Sequence, residues 1–183
     1  MTDHADLQAH AYITTYTGAR FSYAEPGPFR IRDIAHSLSL LPRFLGHTRG
    51  FYSVAQHSLY VCDILHEEGA DRHLQAAGLL HDAQEAYIGD IPSPLKWACP
   101  EIATLEQLIA IRLRAQFIPL CCEDDWRIVK EIDNIALHTE AWSLFNPIPA
   151  WVRPPKGPAT KIGLPPQAAE GFFLDRAAEL GLV

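Results

Sequence analysis

Long apolar runs, basic clusters and spaced cysteine pairs are missing from this 183-residue chain, and each absence closes off a class of function. No stretch of about 18 uninterrupted apolar residues occurs, so neither a membrane-spanning helix nor a membrane partner is expected. The opening residues MTDHADLQAHAY hold no basic region leading into an apolar core, which predicts no export signal and a cytoplasmic location. With a net charge of −7 and no run of Lys or Arg, the surface is not suited to neutralising a polynucleotide backbone, and no nucleic-acid polymer is expected as a partner. The four cysteines, Cys62, Cys99, Cys121 and Cys122, form no C-x-x-C pair. The adjacent Cys121 and Cys122 suit neither a zinc knuckle nor an ordinary disulfide framework, so thiols in a reducing compartment are expected. No cysteine lies in an activated-nucleophile setting and no G-x-S-x-G elbow occurs, which disfavours a Cys or Ser hydrolase.

What is present is apolar sequence with helical periodicity. At 48% hydrophobic, the chain is long enough for one domain with a substantial core and too short for two. Between Ala11 and Tyr23, β-branched and aromatic residues flank Thr17-Gly18, predicting a small hairpin. After Pro26-Gly27-Pro28, Asp33 is the expected cap of a helix carrying Ile34, Leu38 and Leu41 and ending near Pro42 to Gly46. Ser53 and Gln56 form a capping-box signature for a helix reaching about His66, with Val54, His57, Val61, Ile64 and Leu65 on one face. A continuous interior helix is then expected from about Asp71 through LQAAGLLHDAQEAY, with Gly78 placed for close approach of a neighbour. GDIPSPLK reads as a loop, followed by helices from about Pro100, from Asp124 to Phe145, and from Pro166 to Leu180 with Gly181 as the stop. A proline-rich segment, NPIPAWVRPPKGP, precedes the last of these. No internal repeat is visible, and the expected fold is all-α with a small N-terminal hairpin.

Four residues of metal-ligand type, His57, His81, Asp82 and Asp133, fall where a plain helix would carry hydrophobes. Asp133 shares a face with Trp126, Val129, Leu137 and Glu140, and an ionised carboxylate there costs several kcal/mol unless a cation or strong donor meets it. If the helices bearing these residues pack around one point, two imidazoles and two carboxylates make a mixed N/O site suited to Mn, Fe, Co, Ni or Zn rather than Ca or Mg. On a continuous helix, Glu85 lies within about 100° of His81 and Asp82.

The pattern H…HD…D resembles the HD-domain metal-dependent phosphohydrolases. The stretches SLSLLPRFLGHTR, SVAQHS, LLHDAQEAYIGDIPSPLK and VKEIDNIAL, across about residues 31 to 140, resemble YfbR-like 5′-deoxynucleotidases and phage deoxyadenosine triphosphohydrolases. The resemblance implies an HD helical bundle occupying 1–183, its motif-bearing core about 31–145 and a C-terminal segment and helix over 146–183. It implies His57, His81, Asp82 and Asp133 as ligands of one divalent metal, with Glu85 and Asp90 assisting the chemistry. Glu85 would take or hold a proton of the attacking water, and Asp90 would protonate the leaving oxygen or orient the sugar. Arg43 and Lys96 are implied at the phosphate, with His47 and Arg49 placed to extend an anion site. Phe44 stands where the better-known nucleotidases carry Trp, and Pro94, with Pro92, stiffens a loop that would exclude a ribose hydroxyl. The implied substrate is a small deoxynucleotide, cleaved to deoxynucleoside plus phosphate from a monophosphate or plus triphosphate from a species such as dATP. A homo-oligomer, dimer or larger ring, is implied as well. The alternative is a catalytically silent HD module that binds a nucleotide and signals through an oligomeric interface.

Overall fold

The computed structural model describes residues 12–156 and 163–183. The N-terminal stretch and the end of the proline-rich segment lie outside the described residues, with the expectations attached to them. Strands β1 (Ile13–Thr14) and β2 (Arg20–Phe21) pair antiparallel, Ile13 opposite Phe21 and Thr14 opposite Arg20, as the turn at Thr17-Gly18 predicts. Helix α1 (Ile31–Leu40) follows. Asp33 is not its cap: it lies in the first turn and accepts from the Thr17 N–H at 2.7 Å and the Thr17 hydroxyl at 3.0 Å. The carboxylate therefore ties the hairpin to α1 instead of capping its start. Beyond α1, one turn of 3₁₀ helix at Arg43–Gly46 carries Phe44 and Leu45 at positive φ.

Helix α2 (Val54–Glu67) begins at the expected capping box, Ser53 accepting from the Gln56 N–H while the Gln56 side chain accepts from the Ser53 N–H. It is the central element, packed against α1, α3 (Arg72–Leu79), α7 (Glu123–Leu144) and α8 (Pro166–Glu179). The helix expected to continue through the HD pair stops at Leu79, and the chain turns through residues 80–84 before the short α4 (Glu85–Ile88). His81 explains part of this break. Its Nδ1 lies 2.8 Å from the Gly78 carbonyl, which in a continuing helix would accept from the Asp82 N–H. The carbonyls of Leu80 and Asp82 instead accept from residues three positions on, Ala83 and Glu85, tightening the turn.

The expected loop GDIPSPLK is shorter than its sequence suggests, because Ser93 to Ala98 form helix α5 with Pro94 in its first turn. Helix α6 (Pro100–Phe117) starts at its proline as expected. Most of the buried apolar residues form one core cluster, drawing Ile34 and Leu38 from α1, Val61 and Leu65 from α2, Leu79 from α3, Val129 and Ala136 from α7, and Phe173 from α8. The fold is all-α with a two-stranded N-terminal hairpin, and no described helix is long and apolar enough to cross a membrane.

Candidate metal centre

His57 reaches the site from the fully buried face of α2, His81 and Asp82 from the turn after α3, and Asp133 from the middle of α7. Their approach is set by packing of α3 and α7 on α2. The two Nε2 atoms of His57 and His81 are 3.1 Å apart. Asp82 Oδ2 lies 3.0 Å from His81 Nε2 and 3.5 Å from His57 Nε2, and Asp133 Oδ1 lies 3.1 Å and 3.8 Å from the Nε2 atoms of His57 and His81. Donor atoms around a cation bound at about 2.1 Å are separated by roughly 3.0–3.5 Å along adjacent edges. His57, His81 and Asp82 offer ligand atoms that all lie within 4.8 Å of one another and could hold one ion, while Asp133, 3.8 Å from His81 Nε2, stands beside that group.

The opposite ring nitrogens decide what the Nε2 atoms are. His57 Nδ1 lies 2.8 Å from Glu140 Oε1, and His81 Nδ1 lies 2.8 Å from the Gly78 carbonyl. Both partners are acceptors, so each Nδ1 carries the hydrogen and each neutral Nε2 presents a lone pair to the centre. The two Nε2 atoms thus lie among oxygens of Asp82 and Asp133, and positive charge among them offsets the carboxylates. Protons supply it in one state: burial opposes a charge on His81, but Asp82 and Asp133 outweigh burial and push it up to about 10. The same contacts hold Asp82 and Asp133 below the usual carboxylate range against their own burial. A divalent cation held there would supply it instead, and its binding would displace those protons.

Asp133 also has a partner outside the centre. Its Oδ2 accepts from Lys130 Nζ, one turn earlier on α7, at 2.6 Å. The charge of Asp133 alone therefore does not demand a metal; the grouping of His57, His81 and Asp82 is what points to one.

Arg43, projecting from the 3₁₀ turn, is buried beside this cluster, its Nη1 3.7 Å from Asp82 Oδ2 and its Nε 3.2 Å from Glu140 Oε2. Burial opposes its charge, but Glu140, Asp133, Asp82 and Asp90 more than compensate and raise its pKa. Glu85, in the first turn of α4, is buried, and its Oε2 has no hydrogen-bond partner. Burial, reinforced by Asp82 and Asp90, pushes its carboxyl well above the usual range against Arg43 and Lys96. Asp90 is raised as well, mainly by burial. Glu85, Asp90, Arg43 and the HD carboxylate thus act on one another electrostatically.

Other expected contacts fall differently. Lys96 donates to Glu106 Oε1 at 2.7 Å, so its charge is already met within the chain. Phe44 packs edge-on against Phe145 beside the Arg43 guanidinium. His47 and Pro94 are exposed, and the Arg49 guanidinium donates to the Ser143 carbonyl. Glu140 shares a helix face with Asp133, and its sequence position alone gives it no role. It is fully buried, accepts from the Tyr52 hydroxyl at 2.8 Å, and is kept ionised against burial by His57 and Arg43. An acidic residue at zero exposure seven positions after a candidate ligand is the signal that identifies it.

No family model matches the chain. It is 35% identical to a protein of Escherichia coli (strain K12) described as uncharacterized protein YfdR, with 93% of this chain and 96% of that protein covered. It is 30% identical to uncharacterized protein RCAP_rcc00048 of Rhodobacter capsulatus, with 88% and 92% covered.

Proposed function

For a chain that belongs to one family with YfdR and RCAP_rcc00048, we propose, from its site, a metal-dependent phosphohydrolase of the HD type acting at the 5′-phosphate of deoxynucleotides. The observation that carries this reading is the convergence of His57 and His81 Nε2 with oxygens of Asp82 and Asp133, both imidazoles anchored through Nδ1. When bound there, a divalent cation of the Mn, Fe, Co, Ni or Zn group supplies the charge that acidifies a water and polarises a phosphoryl oxygen.

The remaining residues take roles that follow from their environment. Glu85 has a buried oxygen without a hydrogen-bond partner, and its raised pKa makes the ionised carboxylate a stronger base than usual, which suits it to take a proton from water. Asp90, raised by burial, suits proton delivery to the leaving oxygen. Arg43 offers a buried guanidinium next to Asp82 for phosphate oxygens. Lys96 joins it only by exchanging Glu106 for substrate. In the reaction, a water oxygen bonds to the phosphorus attached to O5′, the P–O5′ bond breaks, and O5′ gains a proton. A monophosphate yields deoxynucleoside and phosphate; a triphosphate yields deoxynucleoside and triphosphate. Phe44 and Pro94 are proposed on the sugar side, and a homo-oligomer as the working form.

The test is an assay of Mn²⁺- or Co²⁺-loaded protein with ribo- and deoxynucleoside mono- and triphosphates, with product identification. Asp82→Ala is expected to lower turnover by about 100-fold or more. Undiminished activity in that variant removes the assigned centre. A loaded wild-type protein inert to the whole panel favours the silent nucleotide-binding module instead.

A further inference from the structure

A second cluster of ligand-type side chains lies away from the HD pair. His73 in the first turn of α3, Cys121 in the bend before α7 and Asp125 in the first turn of α7 each bring one ligand atom within 4.8 Å of the other two. All three are partly buried. The backbone prepares two of them: the Cys122 N–H donates to Asp125 Oδ2 at 2.8 Å, and the Cys121 N–H closes a turn on the Ile118 carbonyl. His73 Nε2 provides an independent observation, since it is shielded from solvent and has no hydrogen-bond partner. A shielded, unpaired ring nitrogen on a histidine grouped with a thiol and a carboxylate is the donor set a soft cation takes.

We propose that His73, Cys121 and Asp125 form a second metal site, selective for a thiophilic divalent cation of the Zn²⁺ class. Imidazole, thiolate and carboxylate give three protein donors, and water completes the fourth position. The thiolate distinguishes this site from the HD centre, whose donors are nitrogen and oxygen only. Binding releases the Cys121 proton to solvent as the metal–sulfur bond forms, with no change of oxidation state.

The location gives the site a consequence for the rest of the fold. His73 precedes His81 by eight residues, along α3 and into the turn after it, and Asp125 precedes Asp133 by the same interval, about two turns of α7. A cation held between them clips the start of α3 to the start of α7, the two elements that deliver His81-Asp82 and Asp133 to the other centre. The same packed pair of helices is therefore bridged at two levels.

Co²⁺ is the probe, because a thiolate ligand produces a near-ultraviolet charge-transfer band that an N/O site does not. The band is expected in the full-length wild-type protein and in Asp82→Ala, and is expected to persist in Cys122→Ser and Cys99→Ser. Cys121→Ser should abolish it, and His73→Ala should weaken Co²⁺ affinity by about tenfold or more. Absence of the band at saturating Co²⁺, its persistence in Cys121→Ser, or its loss in Cys122→Ser overturns the assignment. A second measurement uses only wild-type protein: Zn²⁺ should protect Cys121 from alkylation, as mapped by peptide mass spectrometry. Equal labelling of Cys121 with and without Zn²⁺ overturns the site whether or not the variants fold. None of these readings depends on phosphohydrolase activity.

Discussion

Glu140 receives two donors on one oxygen, from Tyr52 and His57, and faces the Arg43 Nε with the other. The Arg43 contact is an ion pair without an aligned hydrogen bond, so its contribution is mainly the compensation of charge. Through His57, Glu140 selects the tautomer that turns Nε2 toward the centre, a role outer carboxylates commonly play for metal-bound imidazoles. Glu140→Gln keeps the shape and removes the charge, and is expected to weaken binding of Co²⁺ or Mn²⁺ at the HD centre by about 10–100-fold. Calorimetric titration checks this, and an unchanged affinity would show that His57 holds its orientation without the carboxylate. At this scale the ligand types were legible in the chain, because His and Asp on apolar faces are costly without a purpose. Two partners were not: Glu106 for Lys96 and Lys130 for Asp133 follow from where side chains end, which periodicity leaves open.

Gly78 is the point at which α3 meets α2. A Cβ there would collide with Leu65 Cδ1 and lie 3.4 Å from Val61 Cγ1, both in the core. Gly78→Ala is expected to destabilise the fold by about 1–3 kcal/mol, since a packed interior accommodates an added methyl only by moving its neighbours. In a chain of this size each kcal/mol lowers Tm by roughly 2–4 °C. A melting curve superimposable on that of the wild type would show that Leu65 has room to turn aside. The same glycine offers the carbonyl taken by His81, so the close packing and the turn into the HD pair meet at one residue. Most helices were readable because their determinants are local: the capping box at Ser53, the prolines opening α6 and α8, the apolar spacing along α7. The break at Leu80 was not, because every residue from Leu79 to Ala86 is compatible with a helix by propensity. What interrupts it is a side chain competing for a backbone acceptor.

Over the whole molecule, α8 closes the bundle from the far end of the sequence, packing on α1 and α2 and touching α3. Phe173 is its fully buried anchor, with Ala169 and Ala177 one turn to either side. Phe173→Ala is expected to cost about 3–5 kcal/mol in denaturant unfolding, through lost burial and the cavity left behind. A loss below about 1 kcal/mol would mean that α8 is an appendage and that α1 and α2 hold together without it. The sequence by itself determined the all-α class, most helix starts and stops, and the residue types available for metal chemistry, because caps, prolines and apolar spacing act over a few positions. Only the tertiary structure decided that His57, His81 and Asp82 cluster with Asp133 beside them, that Glu140 and the Gly78 carbonyl orient the imidazoles, and that His73 meets Cys121 and Asp125. The physical reason is range. Convergence depends on how α2, α3 and α7 pack, and that packing is set by interlocking side chains separated by up to about a hundred positions, not by any local signal.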